Sequence, residues 1–174
     1  MNCEYAAPAT DVDRLLEQAR AGLHRLPPAE AWAAVGRGAL IVDTRPEFQR
    51  RDAGEIPGAV IVERNHLEWR LDPTCGSRIP EATSHEIMWI VICAEGYSSS
   101  LAAAVLRHLG LLNATDVIGG FDAWMKAGLP VVHPAQPTVP RGPRAAPPDI
   151  STAPPAGTSV GAITRRATAS GTSR

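Results

Sequence analysis

The chain has 174 residues, 44% of them hydrophobic, and a formal net charge of -1 with a pI near 6.5. That length suits one domain with appendages, and the near-neutral charge excludes a global attraction to nucleic acid or to an anionic membrane surface. No apolar run approaches the roughly 18 residues of a membrane span, and three widely spaced cysteines, Cys3, Cys75 and Cys93, do not read as a disulfide framework.

The first thirteen residues carry neither a basic start nor an apolar core, so no signal peptide is expected and a reducing, cytoplasmic setting is the simplest reading. Thr10 stands three residues before Asp13, the spacing of a capping box. It opens a helix whose Val12, Leu15, Leu16, Ala19 and Leu23 share one face. Residues 1–26 are therefore read as a helical extension ahead of a main domain over 27–133. Pro28 can occupy the first turn of a second helix, Ala29 to Val35, which Gly36 and Gly38 end. "A-L-I-V-D" (39–43) is a continuous apolar run, as expected of a strand covered on both faces. "P-E-F-Q-R-R-D" gives a short helix, "G-E-I-P-G-A" a turn, "V-I-V-E" (60–63) a second strand and "N-H-L-E-W-R-L" another helical turn. "I-M-W-I-V-I-C" (87–93) is the most apolar strand and is expected at the centre. Ser98 to Gly110 forms a helix rich in Ala and Leu, "D-V-I-G-G" (116–120) a last strand and "F-D-A-W-M-K-A-G" a last helix. Strand and helix alternating in this way predict an α/β fold, three layers deep, with a mostly parallel central sheet.

After His133 the composition changes. Residues 134–174 hold half of the sixteen prolines and no aromatic residue, and five arginines face one aspartate, a local net charge of +4. Such a segment cannot bury enough surface to offset its ordering entropy, so it is read as a disordered tail. Without interleaved aromatics its charge is a weak signal for nucleic acid.

Cys93 stands where the central strand ends and a loop begins, the place where open parallel sheets build their sites. The loop runs Ala94, Glu95, Gly96, Tyr97 into a helix that opens at Ser98 and Ser99. Gly96 allows a positive φ, and Ser98 or Ser99 can cap the helix. The first amides of that helix face back into the loop, so a thiolate, persulfide or oxyanion held there is stabilised and the cysteine becomes more reactive. Buried structural thiols are common, but glycine, serines and strand-loop-helix context together favour a nucleophile.

Four segments in order then carry a family resemblance: "A-L-I-V-D-T-R-P-E-F", "G-E-I-P-G-A", "C-A-E-G-Y-S" and "G-G-F-D-A-W-M-K-A-G-L-P-V". Over roughly 27–132 the chain resembles single-domain rhodaneses, the rhodanese-like sulfurtransferases. The resemblance implies a double displacement. The Cys93 thiolate takes a sulfane sulfur from thiosulfate or a persulfide donor, and cyanide or a thiol removes it. No cofactor and no metal are implied. The related cell-cycle phosphatases use a longer loop and an arginine about six residues after the cysteine; Ser99 holds that place here. A non-catalytic rhodanese-like binding module is the alternative, and an intact Cys93 favours the enzyme.

Several residues temper that picture. The loop has no Lys or Arg where thiosulfate-processing members often carry one, and Glu95 adds a negative charge. A persulfide or polysulfide donor would suit such a loop better than a dianion. Candidate supporting residues are Asp43, expected to brace the turn after its strand, Arg45, expected beside a carboxylate, and Arg70. Trp32, Trp89 and Trp124 are expected in the core, with Trp69 a candidate for the rim of the site. His24, His66, His85, His108 and His133 share no ligand spacing. Cys75 is a candidate resolving thiol, and Cys3 an incidental one.

Overall fold

The computed structural model describes residues 10–133. The expectations for Cys3 and for the 134–174 tail lie outside these residues. Four parallel strands, β1 (Leu40–Asp43), β2 (Val60–Ile61), β3 (Trp89–Ile92) and β4 (Thr115–Asp116), form one sheet in the order β2-β1-β3-β4. Val42 of β1 pairs with Val60 on one side and Val91 on the other, and Ile90 of β3 pairs with Thr115. Helix α1 (Asp11–Ala21) and α2 (Pro28–Val35) precede the sheet. α3 (Glu47–Ala53) joins β1 to β2. A 3₁₀ turn (Arg64–His66) and α4 (Leu67–Leu71) lead to β3, α5 (Ser98–His108) joins β3 to β4, and α6 (Gly120–Lys126) follows.

The apolar runs of β1 and β3 are buried because helices cover both faces. Alternate residues point to opposite sides. Val42, Trp89 and Val91 pack with Leu67, Leu71, Ala102, Ala103 and Leu106 of α4 and α5. Ile41, Ile90 and Ile92 pack with Ala31, Ala34, Phe121 and Trp124 of α2 and α6. Trp32 meets Trp124 edge to face with centroids 5.8 Å apart, a geometry worth about 1 kcal/mol beyond its buried area. Among the described residues no helix is long and apolar enough to cross a membrane.

The N-terminal segment is joined to this body. Thr10 and Asp13 form the capping box that starts α1. Leu26 makes a parallel bridge to Val117, just past β4, so the chain ahead of α2 lies along the sheet edge. Of the expected apolar face of α1, Leu16 is buried and Leu23 packs on the core, whereas Val12 and Leu15 are exposed. The expected strands are also shorter. The "V-I-V-E" run pairs only over Val60–Ile61. The "D-V-I-G-G" run ends as a strand at Asp116 and keeps a single further bridge at Val117, before Gly119 and Gly120 take positive φ values of 72° and 58° and turn the chain into α6.

Candidate active site

The Cys93 side chain sits at the carboxyl end of β3, 7% exposed, beneath a loop that doubles back into α5. Gly96, at φ +80°, turns its N–H onto the sulfur, with N to Sγ 3.2 Å. The thiol donates to Ser99 Oγ at 3.2 Å, and Ser99 Oγ donates to Asp116 Oδ2 at 3.1 Å. Burial pushes the Cys93 thiol up. Hydrogen bonds from the Ser98 and Ser99 hydroxyls and from the Ser99 and Gly96 amides outweigh it, and the net pKa lies below that of an ordinary thiol. Lowering pH through that value removes the thiolate, so nucleophilic reactivity falls on the acid side.

The loop rests on the start of α6. Phe121 N–H donates to Cys93 O at 2.8 Å, and Asp122 N–H to Ala94 O at 3.0 Å. This approach is possible only because Gly120 lacks a side chain: a Cβ there would lie 2.5 Å from Cys93 O and 2.6 Å from both Ala94 O and Gly96 N. The cysteine is thus held by backbone contacts from two directions. Beside it opens a cavity of about 320 Å³ lined by Thr44, Arg45, Pro46, Gln49, Cys93, Ala94, Glu95, Tyr97 and Ser98.

The residues matched to the rhodanese-like domain family are 27–127, more than half of the chain. The chain belongs to that family. The thiosulfate sulfurtransferase GlpE of Haemophilus influenzae is 28% identical over 104 residues, covering 60% of this chain and 90% of that one. GlpE of Pseudomonas syringae is 34% identical over 100 residues, 58% of this chain and 85% of that one. Among solved structures, a protein of unknown function and possible tyrosine phosphatase from Rhodopseudomonas palustris superposes with a TM-score of 0.65. It is 30% identical and covers 73% of this chain and all of the other.

Within this rhodanese domain the loop residues Ala94, Glu95, Tyr97 and Ser98 border the cavity, while Gly96 and Ser99 bond to the sulfur from within. Neither serine caps α5. Tyr97 is its N-cap and makes no side-chain cap bond, and the Ser99 hydroxyl bonds Cys93 and Asp116 instead. Arg45 borders the same cavity, but its guanidinium is buried. It grips Asp43 through Nε and Nη2, donates to Gly54 O at 2.9 Å, and lies 3.4 Å from the centroid of Phe121. Asp43 also accepts the Arg45 N–H at 2.9 Å, bracing the turn that ends β1. Arg70 is not among the cavity residues; its guanidinium donates to Ser77 O in the loop after α4. Trp69, 60% exposed, does not border the cavity either. Cys75 lies in that same loop after α4, its sulfur accepting from Ser77 N–H at 3.4 Å.

Among the residues at the site that escaped the sequence reading are Arg20, Arg25 and Asp116. Asp116 is fully buried and forks with Arg25, at 2.8 Å from Nε and 3.1 Å from Nη2. The available signal was a carboxylate inside a strand buried on both faces, which must find a partner. Nothing in the spacing of Arg25 and Asp116, 91 residues apart, reveals that partner.

Proposed function

We propose that this rhodanese is a sulfurtransferase that carries a sulfane sulfur on Cys93. The reading rests on a thiol of lowered pKa at the carboxyl end of the central strand, held by an amide and a hydroxyl and opening on a cavity. The thiolate attacks the outer sulfur of the donor. The sulfur-sulfur bond of the donor breaks, its electron pair leaving with sulfite or a thiolate, and Cys93 becomes a persulfide. An acceptor thiolate or cyanide then attacks the terminal sulfur and releases the Cys93 thiolate, an ordinary two-step covalent transfer. The amides opening α5 favour the negative charge that each step places on sulfur. The family and the names of its relatives support sulfur transfer. Phosphoryl transfer would call for an arginine where Ser99 stands, and that hydroxyl is already engaged with Cys93 and Asp116. Cys75 and Cys93 are free thiols, in accord with a reducing, cytoplasmic setting.

The donor is a singly charged persulfide in preference to dianionic thiosulfate. Arg45, the one cavity residue with a cationic side chain, spends its guanidinium on Asp43, and exposed Glu95 adds a like charge to any dianion. Steady-state kinetics with thiosulfate and with an alkyl persulfide test this in wild type, Glu95→Gln and Glu95→Lys. Double-reciprocal lines at several acceptor concentrations are expected to be parallel. The thiosulfate KM is expected to fall in the order Glu, Gln, Lys, by about two- to fivefold per step because the site is solvated, and less so at high salt. Intersecting lines would overturn the double displacement. Equal KM values for all three at low salt would overturn the donor preference.

A further inference from the structure

The carbonyl of Gly96 faces away from the sulfur, onto two guanidinium groups. Arg20 Nη2 donates to it at 2.8 Å and Arg25 Nη2 at 3.1 Å, with Ser100 Oγ a further 3.2 Å neighbour. The N–H of the same glycine donates to Cys93 Sγ. Gly96 is therefore stretched between the sulfur on one side and two cations on the other. Both arginines precede residue 27, where the family match begins.

We propose that Arg20 and Arg25 are positioning residues of the Cys93 cradle, standing behind the loop in place of the basic side chain that the loop lacks. The proposal rests on Cys93 being the sulfur carrier. Two physical effects support it. First, anchoring the Gly96 carbonyl fixes the peptide on its far side, and in a trans peptide the next N–H, that of Tyr97, is directed opposite to the carbonyl and away from the arginines. Arg20 secures that residue as well, lying 5.6 Å from the centroid of the Tyr97 ring. Second, Arg25 neutralises Asp116. Ser99 has one hydroxyl proton, and with Cys93 as a thiol it goes to Asp116. Once Cys93 is a thiolate, that proton serves best on the sulfur. Asp116 can release it because the Arg25 fork and Ser100 Oγ, 2.8 Å away, still satisfy the carboxylate. Arg20 Nε in turn reaches Ser100 Oγ at 3.2 Å, so the two arginines support one network.

The other charged or titratable groups around the loop are Glu95 and Tyr97 on it, Asp43 at the end of β1 with Arg45 just after it, Asp116 from β4, Asp122 from α6, and Asp13 and Glu17 of α1, which line a cavity with Arg20 and Tyr97. All are common to the variants that test the proposal: Arg20→Gln, Arg25→Lys and the two combined, in the full chain. Lysine keeps Asp116 neutralised but, as a point charge, cannot grip both Asp116 and the Gly96 carbonyl. The readout is the pH dependence of Cys93 alkylation by iodoacetamide, followed on the Cys93 peptide by mass spectrometry, with folding checked by circular dichroism. Each single variant is expected to raise the alkylation midpoint by about half a pH unit, a roughly threefold loss of thiolate below the midpoint, and the double variant by more. Donor kcat/KM should fall in parallel. Midpoints equal to wild type in folded single variants would overturn the proposal. Because alkylation needs no sulfur donor, failure of the sulfur-carrier reading would show separately, as an unchanged inability of wild type to accept sulfur from any donor.

Discussion

Cys93→Ser is expected to abolish sulfur transfer, by roughly 10³-fold or more, while the melting temperature barely moves. The chemistry needs a thiolate that bonds readily to sulfur, and a serine hydroxyl at neutral pH supplies neither charge nor softness. The fold has little stake in the sulfur itself. Oγ can still accept the Gly96 N–H and donate to Ser99 Oγ, and the tight contacts to α6 run through the Cys93 carbonyl, which the substitution keeps. A thiosulfate-cyanide assay beside a thermal melt separates the two effects. Turnover near wild type would remove Cys93 from the reaction.

Gly120→Ala is expected to have the opposite profile, a large loss of stability with loss of activity as its consequence. The residue sits at φ +58°, and its new methyl would drive into Cys93 O, Ala94 O and Gly96 N at 2.5–2.6 Å. These are backbone atoms of the loop and cannot swing aside. Strain at the positive φ and displacement of the loop together should cost about 3–5 kcal/mol, or roughly 10–20 °C in Tm. Gly58→Ala is the matched control. Gly58 also has a positive φ, +75°, but nothing lies within 4 Å of its added Cβ, so only the conformational cost of about 1 kcal/mol applies. Equal melting temperatures for the two variants would show that the loop does not depend on its close approach to α6.

Much of this fold was legible because β1 and β3 are unbroken apolar runs, and such runs have few places to go except the middle of a parallel sheet. The Cys93 loop was legible for a related reason: a glycine and serines directly after the most apolar strand mark a strand-loop-helix turn. Where the reading missed, the cause was tertiary. Asp116 to Gly120 carries an apolar pattern, but the strand ends at Asp116 with a single further bridge at Val117, before Gly119 and Gly120 take positive φ values to meet the loop. Ser99 has the composition of a helix cap, yet a nearby thiol and a buried carboxylate compete for its hydroxyl and win. Arg70 and Trp69 were candidates for the site on the helical turn that forms α4, and α4 presents them elsewhere. Arg20 and Arg25 were invisible because their target is a main-chain oxygen 71 or more residues away, and a carbonyl leaves no trace in a sequence.

Mass spectrometry of the full chain after exposure to an alkyl persulfide, and separately to thiosulfate, addresses the proposed chemistry at its first step. Added mass of one sulfur atom is expected, located on the Cys93 peptide, removed by cyanide and absent from Cys93→Ser, with the persulfide the faster donor. No sulfur on Cys93 from either donor, or sulfur held instead on Cys3 or Cys75, would contradict the account.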